Sequence, residues 1–190
     1  MKKIAVILIA AILMLAVVCA GAETAPADLL SLLRGKTFDF TSGVGAWYTE
    51  LNFKEDGAFT GSYHDSEMGE TGEDYPNGTV YTCLFHGRLS AAEQLSDTAW
   101  LLKVEENRIS GGQALKIIED GIRFVLSKPY GLENATEVIL YLPGMPVADL
   151  PEGFLIWSHL DEIDPGAEVI PYYAIWNEAE EAGFIGDPVE

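Results

Sequence analysis

Trp47, Thr49, Leu51 and Phe53 fall on one side of an extended chain, and Tyr48, Glu50, Asn52 and Lys54 on the other. A period of two is the mark of a β-strand with one buried face. Glu55-Asp56-Gly57 follows, and Asp-Gly supplies the positive φ angles that a tight hairpin needs. The return strand, Ala58 to Tyr63, puts Phe59, Gly61 and Tyr63 on a common face. Gly61 has no side chain, so a neighbouring ring can lie close over it. A lone hairpin is marginal in water, so these two strands demand a larger sheet.

Runs of the same character recur along the chain. Strands are predicted over Lys36–Phe40, Thr79–Leu89, Thr98–Val104, Ala114–Ile118, Ile122–Leu126, Glu137–Leu142, Phe154–Trp157 and Glu168–Trp176. Turn chemistry separates them at Pro76-Asn77-Gly78, Glu119-Asp120-Gly121, Pro129-Tyr130-Gly131 and Pro143-Gly144. Asp28 to Leu33 reads as a short helix whose leucines cover one end of the sheet. Ser90 to Asp97 reads as a helical turn or loop, and Asn177 to Gly183 as a helical turn before an acidic tail. Many short strands with short connections predict an all-β fold. We expect an antiparallel, meandering β-barrel with a short N-terminal helix; the alternative is a β-sandwich. Closure is the better solution, because it removes the edges that so many apolar strands would expose.

Lys2 and Lys3, the apolar run Ile4 to Val18 and the sequence Ala20-Gly21-Ala22 have the form of a secretory signal peptide cut after Ala22. Residues 1–22 are then a leader, 23–35 a lead-in and helix, and 36–190 one barrel domain. The expected location is secreted or on the extracytoplasmic cell surface. Lipid anchoring through Cys19 is the minor alternative, because Val18 is bulky for that signal. Loss of two leader lysines and no acid takes the net charge from −19 to −21. So acidic a chain is not suited to nucleic acid or to an anionic membrane surface. Of two cysteines only Cys83 follows the leader, so no internal disulfide forms and the core must supply stability.

The residues that carry chemistry are few. His64 to Asn77 is the most polar stretch, and Asp65, Glu67, Glu70, Glu73 and Asp74 are its candidate calcium ligands, although their spacing is not that of an EF-hand. His64, His86 and His159 form no metal-binding motif, no G-x-S-x-G elbow exists, and no cofactor motif is present. No catalytic residue is therefore assigned. Trp47, Tyr63, Tyr81 and Phe85 are the candidate pocket-lining residues, with plain core packing as the competing role.

Gly45-Ala46-Trp47, on a long strand after a short helix, resembles the G-x-W signature of lipocalin-type (calycin) barrels. The second signature of that family, Thr-Asp-Tyr, is replaced by Glu73-Asp74-Tyr75. The strings SGVGAWYTEL, YPNGTVYTC, PYGLE and YLPGMPVADLPEGF resemble a group of exported proteins of Gram-positive bacteria. The resemblance implies a barrel with one open end and a small apolar ligand, and no activity. The expected function is a non-enzymatic exported barrel that binds a small apolar ligand or an envelope component. The alternatives are an acidic surface module for calcium or a protein partner, and a secreted hydrolase whose site lacks a recognisable motif.

Overall fold

The computed structural model describes residues 26–110 and 116–188. The leader, its cleavage site and Cys19 lie outside them. The elements run α1 (Pro26–Ser31), β1 (Thr37–Thr41), β2 (Trp47–Phe53), β3 (Ala58–Glu67), β4 (Thr79–Ser96), β5 (Ala99–Ser110), β6 (Lys116–Glu119), β7 (Ile122–Leu126), β8 (Glu137–Tyr141), α2 (Glu152–Ser158), α3 (Leu160–Ile163), β9 (Tyr172–Asn177) and β10 (Ala182–Pro188). Eight strands close an antiparallel up-and-down barrel in the order β1-β2-β3-β4-β5-β8-β9-β10, with β10 back on β1. The β6–β7 hairpin stands outside this ring, with β7 parallel to the start of β4.

The alternation in β2 decides the wall. Thr49, Leu51 and Phe53 are buried and face in, while Tyr48 is exposed. β4 is apolar on both sides in sequence, but its inward set is Cys83, Phe85, Gly87 and Leu89, leaving Leu84 63% exposed. Glycine and phenylalanine are exchanged between neighbouring strands: Gly61 pairs with Phe85, and Phe59 with Gly87. Each ring lies flat where the opposite Cβ would have been. The two turns carry the backbone that Asp-Gly foretells. Asp56 and Gly57 have φ of 54° and 71°, and Asp120 and Gly121 have 49° and 76°. The second pair joins Glu119 to Ile122 as a two-residue loop of the primed type.

α1 seals one end of the barrel, with Leu29 and Leu33 buried and Leu30 against Gly57. A second apolar cluster lies outside the wall. Phe154 and Leu160 of the helices pack with Met145, Leu150 and Ile170 against Tyr141, Ala174 and Trp176.

Several boundaries differ from the sequence expectations. β3 runs on to Glu67, because both β2 and β4 hold its backbone through His64 and Asp65. β4 and β5 also extend past their apolar cores, to Ser96 and back through Ser110, with register shifts near Leu89, Glu93 and Ser96. Backbone pairing sustains these polar lengths where side-chain pattern does not. Phe154 to Trp157 is helical: Phe154 and Ser158 are buried while Ile156, which would share their face in a strand, is exposed, and a four-residue apolar run by itself fits either structure. The stretch near Gly183 is not a helical turn. It opens β10, the strand that closes the barrel, and Gly183 and Gly186 make room there for Trp157, Phe154 and Phe38.

Gly61→Ala is expected to destabilise the fold by about 1–3 kcal/mol, because the new methyl must displace the Phe85 ring. Chemical denaturation measures this, and Gly61→Ala combined with Phe85→Leu is expected to recover part of the loss.

Candidate ligand site at the barrel mouth

Among the described residues the barrel interior is filled by side chains. The void bounded by Leu51, Phe59, Leu89, Asn107, Leu132 and Ile175 measures about 10 Å³, less than a ligand needs. The end opposite α1 is stopped by the loop between β7 and β8. Its carbonyls are gripped in succession by side chains from three strands. Thr49 Oγ1 donates to the Tyr130 carbonyl at 2.8 Å, Asn177 Nδ2 to that of Gly131 at 2.9 Å, and Asn107 Nδ2 to that of Leu132 at 2.7 Å. Gly131, at φ 86°, lets the backbone settle onto the Phe40 ring. The Glu180 carboxylate accepts the next two amides, of Glu133 and Asn134.

Above this stopper is an open depression of about 510 Å³, lined by Ala46, Trp47, Tyr63, Asp65, Ser66, Glu67 and Tyr130. Its floor is aromatic. The Trp47 and Tyr130 rings meet at 81° with centroids 5.0 Å apart, and Tyr63 lies 6.3 Å from Tyr130. Phe40 anchors the group from below, touching Trp47, Tyr130, Trp157 and Phe184 at 4.7 to 5.3 Å. Its rim is acidic. Asp65 and Glu67 are successive inward positions at the end of β3, a consequence of that strand running past Tyr63. The Tyr63 hydroxyl donates to Asp65 Oδ2 at 3.3 Å. Burial, and then the nearby Asp65 charge, push the Tyr63 phenol well above its ordinary value, so it stays a donor.

The structure divides the predicted site residues. Trp47 and Tyr63 meet at the mouth. Phe85 is core, 1% exposed. Tyr81 serves the acidic loop instead, donating to Glu70 at 2.6 Å. The five acids are likewise scattered. Asp65 and Glu67 rim the mouth, Glu73 and Asp74 sit in the exposed turn closed by Gly72 and Tyr75, and Glu70 is taken by Arg123 at 2.6 Å. Among the described residues no three of His, Cys, Asp or Glu converge to hold a metal ion. The centre of the acidic loop is a guanidinium: Arg123 also bonds Thr79 Oγ1 and the Tyr75 hydroxyl and stacks on the Tyr75 ring at 4.3 Å.

His64 does meet a serine, Ser66 Oγ at 2.8 Å, but both lie on the outward face of β3 with Tyr48 stacked on the imidazole. Among the described residues no carboxylate bonds that ring, so the third member of a hydrolytic triad is not in place. Cys83 is buried and its thiol is pushed up to about 11 by burial, which leaves it an apolar filler. A second depression, about 340 Å³, lies on the outer wall among Leu101, Ile139, Trp176 and Glu178, where Trp176 is already covered. Tyr130 was not legible as a site residue. Its only signal is an aromatic placed between Pro129 and Gly131, the two residues that force the chain back into the mouth.

Thr49→Val keeps the side-chain shape and leaves the Tyr130 carbonyl unpaired, so it is expected to cost about 1–3 kcal/mol and to speed amide exchange across 127–136. The Glu70–Arg123 tie gives a pH signature. Hydrogen bonds from Tyr81 and Arg123 hold the Glu70 carboxyl below its ordinary range. Its contribution is therefore complete above the ordinary glutamate value and is lost as pH falls through the lowered one. The stability gap between the protein and Glu70→Gln, followed by denaturation from pH 7 downward, is expected to close in that acid window.

No protein-family model, curated protein or solved structure matches this chain.

Proposed function

We propose that the chain is an exported, non-enzymatic β-barrel that binds a small ligand with an apolar face at the barrel mouth. One observation carries this reading: a depression of about 510 Å³ is floored by the partly exposed rings of Trp47 and Tyr130 beside the buried Tyr63, while the void beneath, bounded by described residues, measures about 10 Å³. Depressions of this size, with aromatic walls and a few polar groups, suit small molecules. The floor is also rigid before any ligand arrives, because Phe40 and the three carbonyl grips hold Trp47 and Tyr130 in place. A preset floor lowers the ordering cost of binding. The ligand rests on the stopper, whereas the lipocalin resemblance implies a ligand held inside a barrel with one open end. The leader-like first residues support an exported location for this activity.

The neutral dye N-phenyl-1-naphthylamine tests the reading. It is expected to bind saturably with brightened emission, and Trp47→Ala is expected to weaken it by about ten-fold, the loss of one buried aromatic contact. Leu84→Ala, on the outer wall, is the control and is expected to leave the titration unchanged. Emission indifferent to Trp47→Ala would sink the mouth as the binding site.

A further inference from the structure

We infer that the mouth is selective for a small organic cation, an ammonium group carrying methyl or methylene substituents. The inference rests on the mouth being the ligand site proposed above, and adds the charge of the ligand. Its basis is the pairing of an aromatic floor with two carboxylates that form no ion pair among the described residues. Asp65 and Glu67 both line the depression, and among the described residues neither forms an ion pair. Glu70, only three residues on, shows the contrast, since Arg123 neutralises it. Asp65 has one oxygen, Oδ2, engaged by the Tyr63 hydroxyl, and among the described residues no side chain donates to the other.

Each ligand class meets this arrangement differently. An anion faces two carboxylates and a chain of net charge −19. A neutral apolar molecule uses the rings and leaves the carboxylates to water. A calcium ion uses the carboxylates but finds only two, and rings do not ligate it. An alkylated ammonium uses both. Its charge answers Asp65 and Glu67, its methyl groups lie on Trp47 and Tyr130, and the negative faces of those rings attract it further. The acidic surface also steers cations toward the opening.

Choline and its uncharged isostere 3,3-dimethyl-1-butanol separate charge from shape. Calorimetric titration of the purified protein at low salt is expected to show choline binding at least about ten-fold more tightly than the isostere, the scale of a cation–π and carboxylate contribution at a partly exposed site. The double variant Asp65→Asn, Glu67→Gln is expected to weaken choline by about ten-fold while leaving the isostere and the melting temperature unchanged. Equal affinities for the two probes would overturn the cation inference and leave the mouth reading standing. So would failure to bind choline in a protein that still takes the neutral dye through Trp47. If the dye is also indifferent to Trp47, both the inference and the reading fall.

Discussion

The buried Thr49 and Asn177 and the part-buried Asn107 hold the carbonyls of Tyr130, Gly131 and Leu132, and the rest of the mouth depends on that grip. A backbone turned into a barrel end loses its water, and each unpaired carbonyl there is costly. Thr49, Asn107 and Asn177 come from β2, β5 and β9, so the loop is bonded to separate parts of the wall at once. The grip sets where Tyr130 stands and how close Gly131 comes to Phe40. It also fixes the level at which the interior ends and the depression begins.

The filled interior has a second cause, in the phenylalanines. Phe38, Phe40, Phe53, Phe59, Phe85 and Phe184 all point inward and are nearly inaccessible. Gly61 and Gly87 let two of those rings lie against the neighbouring backbone, so that both fit within one small barrel. A barrel of eight strands is just wide enough for side chains to fill. Here they do, and open space is found at the rim. At the rim the requirements change: rings half-exposed to water, carboxylates without cations, and a strand end that delivers Asp65 and Glu67 together.

Much of the wall was legible in the sequence, because one buried face imposes alternation. β2, the start of β3 and β8 follow directly from it, and the two turns follow from the positive φ that Asp-Gly favours. The extensions of β3, β4 and β5 were not legible, since there the backbone of a partner strand, and no burial pattern, keeps the chain extended. β10 was hidden by Gly183 and Gly186, which lower strand propensity yet are needed beneath Trp157 and Phe38. The site was half legible. Trp47 and Tyr63 announce themselves as aromatics on an alternating hairpin. Tyr130 sits in a turn, and nothing local reveals that the turn folds back over the barrel. The acidic residues looked like one group because they are close in sequence. A strand end, a guanidinium and a tight turn send them to three places.

The pairing of β1 with β10 joins Phe38 to Gly186, close to the two limits of the described chain. A ring of this kind has no closed intermediate made from its first half. Until the last strand is present, β1 keeps a bare edge and the phenylalanines have no lid. Loop closure over nearly the whole chain is slow compared with local pairing. Closure of the ring therefore comes late, once β10 is available to pair with β1.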